Sequence, residues 1–545
     1  MSSSESTPHP TQVTEGGLFA RNATGMVREV SQLSASIVNF IPGCPTQALA
    51  AGLFFAFAAF PGGNFLLGLV LVAPMVLSFA FAFGLMSSAM PRSGGDYVIV
   101  SRVLHPAVGM ISSLFTNFAN MLSNAFFGIA FATIAVGPGL IIVGLIGDSG
   151  TLVRWGTTVE TSSNWQFILG AVMMLIGVMM LAGGWSWALK WQNGMFALAM
   201  GGLVFAGLIA LFTSHSAFIS NFNDFARPFT NQGDTYHGVI TTAQKAGVDT
   251  DPPFSFTNTI PLIGVLAGFG IYSWWTAFIG GEVRQASSTR NARNMALAGL
   301  ANLVSVGIFA LIFLHTFGGP FLTAANGGGM PAEIPSPPFY FFLAAASFGH
   351  AWAAALLVLS AAVFWPLIYY ISLLSSTRST FAWSFDGLLP EAATRLNSRR
   401  APVVSLLASL VVSLVFLYWG THSATFLQVF VYATLFALIG MMLVGLSALV
   451  FPWRRPEMYR ASVTSRTFLG IPVVSIAGAG SVLSGIILYY ILLHYPAFGI
   501  ANRQKFILVA LGVIAFGVVY YAIARAVRAR HGVDITRTYA EIPPE

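Results

Sequence analysis

Charge is what this sequence has least of. Asp, Glu, Lys and Arg make up 8% of its 545 residues, where soluble domains average about 25%. A chain this poor in charge and 56% hydrophobic does not have the polar surface a water-soluble fold needs. Cysteine is nearly absent too. Cys44 stands alone, so no intrachain disulfide forms and the redox compartment is left open. Acids are missing where they would matter most. None of the 18 Asp and Glu residues falls midway along an apolar run, and Glu282 comes nearest, at the end of one. Ionisable groups deep in a bilayer are costly and usually functional. Their absence argues against a buried carboxylate relay and against a fixed counter-ion for a strongly charged substrate. The first 29 residues are polar and Ser/Thr-rich, without the apolar core of a signal peptide.

What is present is apolar sequence in runs of bilayer-spanning length, roughly 20 residues each. They cover 30–60, 65–86, 106–146, 165–181, 191–212, 259–281, 296–317, 350–376, 403–419, 426–451, 471–493 and 506–523. The third is too long for one straight crossing and must tilt or protrude. The expected fold class is therefore an all-α integral membrane protein with twelve transmembrane helices. With both termini placed in the cytoplasm, all of the 25 Lys and Arg residues lie inside except Arg154, Arg227, Lys245, Arg503 and Lys505. The positive-inside rule asks for that asymmetry, and it calls for an even number of spans. The net charge of +7 gives no reason to expect nucleic acid, because the basic residues sit at span ends. The expected location is the cell membrane, with lipid as the surrounding partner and a monomer or homodimer as the assembly.

Two spans are interrupted. The first carries Ile41-Pro42-Gly43-Cys44-Pro45 in its middle, where two prolines remove amide donors and clash with the preceding turn. The sixth carries Gly268-Phe269-Gly270-Ile271-Tyr272-Ser273, where each glycine weakens a helix by roughly 1 kcal/mol against alanine. Broken helices are tolerated in a bilayer only where the freed backbone faces protein, water or ligand, and such a pair in corresponding places points to a transporter's site. Each half opens with a broken span, so the expected layout is a five-plus-five inverted repeat plus two extra helices. Its parts are a cytoplasmic tail 1–29, a first repeat 30–212, an extracellular loop 213–258, a second repeat 259–451, two further helices in 452–523, and a cytoplasmic tail 524–545. The deep polar groups are neutral: Asn39, Asn117, Asn120, Asn124, Ser273, Asn302, Ser305, Ser360, Gln428 and Tyr432.

Further motifs carry a resemblance. Pro91-Arg92-Ser93-Gly94-Gly95-Asp96-Tyr97 follows span 2, Gly281-Glu282-Val283 ends span 6, and Arg378 with Asp386-Gly387-Leu388-Leu389-Pro390 follows span 8. The chain closes on Glu541-Ile542-Pro543-Pro544-Glu545. In order and spacing these resemble the signatures of amino acid permeases of the amino acid–polyamine–organocation superfamily, from about Arg21 onward. The resemblance implies alternating access and an amine-plus-carboxylate substrate held at broken helices 1 and 6. Two departures stand out. Gly43-Cys44-Pro45 replaces the family's frequent G-S-G, and Pro45 donates no hydrogen bond. The lysine that some proton-coupled relatives carry inside helix 5 is missing, and Lys190 lies about two turns earlier.

The expected site follows. Amides of Gly43 and Cys44, at the positive end of a half-helix dipole, would hold a carboxylate. Carbonyls near Ile41, Gly268, Phe269 and Ile271 would hold an ammonium, and Pro42, Gly270, Tyr272 and Asn120 complete the expected substrate-binding set. Phe269 is the candidate gate, with Tyr272 and Trp274 as alternatives. Asn120 shares a helix face with Asn117 and Asn124, and Ser360 is the candidate ion ligand. Arg92, Asp96, Glu282, Arg378 and Asp386 form a candidate inner network. The expected function is secondary active transport of neutral amino acids, coupled to H+ or Na+, with no cofactor and no metal. The alternative is a carrier of polyamines, nucleobases or another organic cation. No nucleophile–base pair or metal cluster marks an enzyme, and no ring of charges marks a channel filter.

Overall fold

The computed structural model describes residues 28–500, 503–532 and 534–539. Arg21, most of the N-terminal tail and the 541–545 motif lie outside them. The chain opens with α1 (Gln32–Phe40) and α2 (Leu53–Ala59). It continues through α3 (Phe65–Ala89), α4 (Gly95–Val103), α5 (Pro106–Ile146), α6 (Gly150–Thr161), α7 (Ser163–Ala182) and α8 (Trp185–Phe212). The polar stretch expected as a loop holds two helices, α9 (His215–Thr230) and α10 (Thr235–Lys245). Then come α11 (Phe256–Gly270), α12 (Arg290–Phe317), α13 (Tyr340–Phe348) and α14 (Ala351–Phe385). The last are α15 (Val403–His422), α16 (Tyr432–Arg454), α17 (Val473–His494) and α18 (Arg503–Arg530). Among the described residues, 10 helices are long and apolar enough to cross a membrane: α3, α5, α7, α8, α12 and α14 to α18. This is a multi-pass membrane protein.

Local chemistry explains the irregularities. In α5, the π-turn at Phe131–Val136 precedes Pro138, whose missing amide leaves the carbonyl four residues back without its donor. In α14, helix geometry lapses at Val363, three residues before Pro366, for the same reason. Asn64 caps α3 by accepting the Leu67 amide at 2.9 Å, as a helix start requires. Tyr236 on α10 donates to the Phe317 carbonyl at 3.0 Å and stacks on Phe321. The polar stretch is thereby packed against the chain that follows α12.

Small residues set the closest helix approach. Where α16 meets α17, a Cβ at Gly478 would stand 2.3 Å from the Leu449 nitrogen and 2.5 Å from the Gly445 oxygen. In lipid, such packing takes the place of a hydrophobic drive between helices. By contrast, α18 lies at the periphery with Leu508, Leu511 and Phe516 exposed, a surface that suits hydrocarbon. Gly478→Leu is expected to force α16 and α17 apart and cost about 1–3 kcal/mol or more, read as a lowered unfolding temperature in detergent. An unchanged transition would show that the seam is not tight.

Candidate functional site

The first break is built by its prolines. Helix α1 ends at Phe40, Ile41–Gly43 make a 3-10 turn, and Cys44 takes left-handed dihedrals of φ 45° and ψ 56°. Helix then restarts at Pro45, where a missing amide costs nothing. The Cys44 amide donates to the Ile41 carbonyl at 3.0 Å, so it is not free for a carboxylate as expected. Nor is Gly43 exposed to a ligand: a Cβ there would stand 1.8 Å from Asn302 Nδ2. That nitrogen donates to the Phe40 carbonyl at 2.6 Å and so satisfies an acceptor the break releases. The amides without intrahelical partners belong to the restarted helix, at Thr46 and Gln47. The next one, Ala48, already returns to the Cys44 carbonyl at 2.8 Å.

The second break falls later than the glycines predict. Gly268, Phe269 and Gly270 are helical, and irregular backbone begins at Ile271, whose amide closes on Ala267 at 3.1 Å. Two glycines alone are too small a penalty to open a packed helix. At Gly270 the glycine serves packing, since a Cβ would stand 2.7 Å from Val76 and 3.1 Å from Leu303. Beyond Ile271 the chain runs through turns and a 3-10 segment, Trp275–Phe278, and regains no α-helix before Arg290. The distal half of the expected sixth helix is therefore irregular.

The breaks are tied to each other. Asn39 Oδ1 accepts the Thr276 amide at 2.9 Å. Val30 donates to the Glu282 carbonyl and accepts the Arg284 amide, both at 3.0 Å. Between the breaks lies a cavity of about 310 Å³. It gathers Pro42, Cys44, Gly268, Phe269, Tyr272 and Asn120 from the expected set, and adds Gln47, Ser123, Trp365, Ser372 and Thr434. Ile41, Gly43, Gly270 and Ile271 face protein and do not line it. The Phe269 ring lies over Gly52, where a Cβ would come within 2.5 Å of it. Trp274 stacks on Phe83 at 4.1 Å, away from the lining. The three asparagines of α5 divide. Asn120 lines the cavity and donates to Ser375 at 2.9 Å, Asn124 reaches Ser413 on α15 at 3.1 Å, and Asn117 bonds its own helix at Ser113. Ser360 lies outside the lining and donates to the Leu357 carbonyl at 2.7 Å. The Gln428 side chain lies outside the described residues. Of the positions the sequence reading passed over, Ser123 had a signal, one helical turn beyond Asn120. Trp365 and Thr434 had none.

Among the described residues, no charged side chain lines the cavity. Charge gathers elsewhere: among the described residues the expected inner network resolves into two buried ion pairs. Arg378 grips Glu282 through Nε at 3.0 Å and Nη2 at 2.8 Å, and Trp185 donates to the same carboxylate at 2.5 Å. Arg102 grips Asp386 at 2.7 Å and 2.8 Å, and Tyr97 adds a bond to Asp386 at 2.8 Å. The Arg102 guanidinium also lies 5.0 Å from the Tyr539 ring centroid. Both pairs are buried. Asp96 joins neither, and Arg92 donates to the Pro91 carbonyl.

An uncharged cavity between two interrupted apolar segments, with the buried charges kept away from it, suits the passage of a small molecule through a membrane protein. The chain belongs to the amino acid permease family, whose model matches residues 30–516. No curated protein matches it. It is thus a transporter of amino acids or related organic molecules, working on small molecules within lipid, and not an enzyme.

Buried ion pairs are strong only while both partners are present. Glu282→Gln or Arg378→Met alone should each cost about 3–5 kcal/mol, while Glu282→Leu with Arg378→Met together should cost less than either. Unfolding of all three in detergent checks this. A double variant as unstable as the two single effects combined would refute coupling between the two residues.

Proposed function

We propose that this permease moves neutral amino acids across the cytoplasmic membrane by alternating access, with the substrate held between the two breaks. One observation carries the reading: among the described residues no charged side chain lines the cavity, yet two helix ends of opposite polarity border it. On one side the restarted helix brings Thr46 and Gln47 amides and the positive end of its dipole, equivalent to roughly half a charge. On the other, the last carbonyls of α11, at Gly268 and Phe269, form a negative end. A zwitterion with no net charge matches that pair, carboxylate to amides and ammonium to carbonyls. Phe126, Phe127, Tyr272 and Trp365 supply apolar wall for a side chain. The volume sits at the small end of the ligand-pocket range of about 300–1,000 Å³.

The rest of the reading follows from this site. The two interrupted segments count as crossings with the ten long helices, giving twelve in all, arranged as a five-plus-five inverted repeat with two extra helices. Both termini are cytoplasmic. Phe269 is the gate over the substrate, and the Glu282–Arg378 and Arg102–Asp386 pairs close the inner face and part on opening. Movement is coupled to H+ or Na+, with Ser360 as the candidate sodium ligand.

Counterflow of a labelled neutral amino acid in proteoliposomes tests the proposal, with unlabelled amino acids, amines and nucleobases as competitors. Neutral amino acids are expected to compete; competition by amines or nucleobases alone would overturn it. Gly268→Leu sharpens the test, because no atom lies within 4 Å of a Cβ there. The protein should insert normally and lose exchange at least about 10-fold as leucine fills the site. Exchange at the wild-type rate would remove Gly268 from the substrate path.

Cys44 gives a second readout without engineering. It is the sole cysteine and lines the cavity. A small hydrophilic thiol reagent should label it, and a transported amino acid should protect it, as read by intact mass. Labelling indifferent to saturating substrate would put the substrate elsewhere.

A further inference from the structure

Asp96 sits in the first turn of α4 and is 1% exposed. Its Oδ2 accepts hydrogen bonds from Ser112 at 2.8 Å and Thr116 at 2.9 Å, both on α5. Its Oδ1 has no hydrogen-bond partner of normal geometry among the described residues. A buried carboxylate is usually paired with a cation, and the charged or titratable groups around this one are engaged elsewhere. On its own helix, Arg102 and Tyr97 serve Asp386, which follows the end of α14. Arg378 of α14 serves Glu282, while Arg454 and Arg455 of α16 donate to the Leu104 and Arg102 carbonyls. His105, which caps α5, accepts the Ala107 amide. Arg528 of α18 donates to the Gly387 carbonyl, and Arg92 to Pro91. From α16, the residue that faces the carboxylate is Gly440, where a Cβ would stand 3.5 Å from Oδ2 and 2.5 Å from the Thr116 hydroxyl. The glycine leaves room for the carboxylate and its two hydroxyls.

The position links the second break to the cavity wall. Just before Asp96, the Gly94 amide donates to the Phe278 carbonyl at 3.0 Å, and Ser93 pairs with Ile279. That ties α4 to the irregular chain after the second break. On the other side, Thr116 lies one helical turn from Asn120, which lines the cavity. The two hydroxyl–carboxylate bonds therefore join the second break to the α5 wall of the cavity. Bonds to an ionised oxygen are roughly twice as strong as neutral ones, so neutralising Asp96 loosens that joint.

We propose that Asp96 is a proton-binding site of this protein, and that its protonation, by weakening the α4–α5 joint, couples a proton to substrate movement. The coupling rests on the carrier reading above; the proton site itself does not. The proton comes from water, forms an O–H bond on the Asp96 carboxylate and leaves the side chain neutral; release returns the carboxylate. Burial pushes the carboxyl up to about 6, against the lowering effect of the Ser112 and Thr116 hydroxyls and of the first-turn amides. The sign follows: near neutral pH the group is charged and the joint is tight, and acidification through that value neutralises it.

The test uses the full-length protein and two independent readouts. In liposomes with equal pH on both faces, wild-type exchange should change with a midpoint near pH 6. Exchange by Asp96→Asn should no longer vary there. Ser112→Ala removes a donor that favours the charged form, so its midpoint should move upward. In detergent, without any substrate and in a Glu160→Gln background, because burial pushes that carboxyl up to about 7 as well, infrared difference titration should show a protonated carboxyl band that grows through the same pH range and is lost in Asp96→Asn. A band that persists in Asp96→Asn, or a midpoint unmoved in Ser112→Ala, would overturn the proposal. If the band titrates as expected and no amino acid is exchanged, the proton site stands and the carrier reading fails. If exchange proceeds and the band does not titrate, the carrier reading stands and the proton site fails. Should Asp96→Asn not fold, Ser112→Ala carries both readouts.

Discussion

A hydrocarbon interior offers no water to an interrupted backbone, and the rest of this structure depends on how that constraint is met. Each break strands peptide groups that would cost several kcal/mol if left unpaired in lipid. The partners arrive from distant sequence. Asn302 of α12 donates to the Phe40 carbonyl, and Asn39 accepts the Thr276 amide from beyond the second break. Asparagine suits the task because one uncharged side chain carries both donors and an acceptor. Each is half used: Asn39 Nδ2 and Asn302 Oδ1 are buried without a hydrogen-bond partner among the described residues. An unmet polar atom costs about 1–3 kcal/mol. Both sit at the breaks themselves.

The charged residues meet a related constraint at the edge of the apolar region. Buried ion pairs are weak sources of stability, because desolvation takes back most of the Coulomb gain. Two of them here converge on one helix. Glu282 brings the irregular chain after the second break to Arg378 of α14, and Arg102 brings α4 to Asp386 at the end of α14. The pairs share no residue, so separating one leaves the other compensated. What they provide is registry: each fixes a segment against the end of α14 at one bidentate contact, a geometry that arginine and carboxylate satisfy in a narrow set of orientations.

How far this was legible in the sequence depended on how local the cause was. Pro42 and Pro45 act within one turn of themselves, and the first break lies between them. The span 106–146 emerges with the same ends as α5, because apolar length is a property of the run alone. Glycine is ambiguous by comparison. Gly270 permits either a break or a close approach, and Val76 and Leu303 make it the second, so the break moved on to Ile271. The stretch 213–258 looked like loop because its helices are short and polar, and what holds α10 is Phe317 and Phe321, far along the chain. Arg102 was read as one more inward-facing cation. Nothing local shows that it pairs with Asp386, because that pairing exists only once α4 and α14 meet.

The same distinction bears on selectivity. Under the proposed function, recognition of the amine and carboxylate belongs to backbone: the first amides of one half-helix and the last carbonyls of another. Those groups are present whatever side chains surround them, provided the breaks hold. Discrimination among substrates must then fall to the side chains that fill the rest of the cavity wall, chiefly Phe126, Phe127, Tyr272 and Trp365. One methylene more or less against such a wall is worth about 1–3 kcal/mol, a weak filter. A carrier built this way accepts a group of related apolar amino acids and rejects strongly on net charge, because an extra charge finds no counter-ion in the lining. A cavity lined with paired acids and bases would do the reverse. It would hold one charged substrate tightly and bear the desolvation of its own side chains each time the substrate left. Keeping charge out of the cavity suits that task, since an empty site must be able to return without a counter-ion.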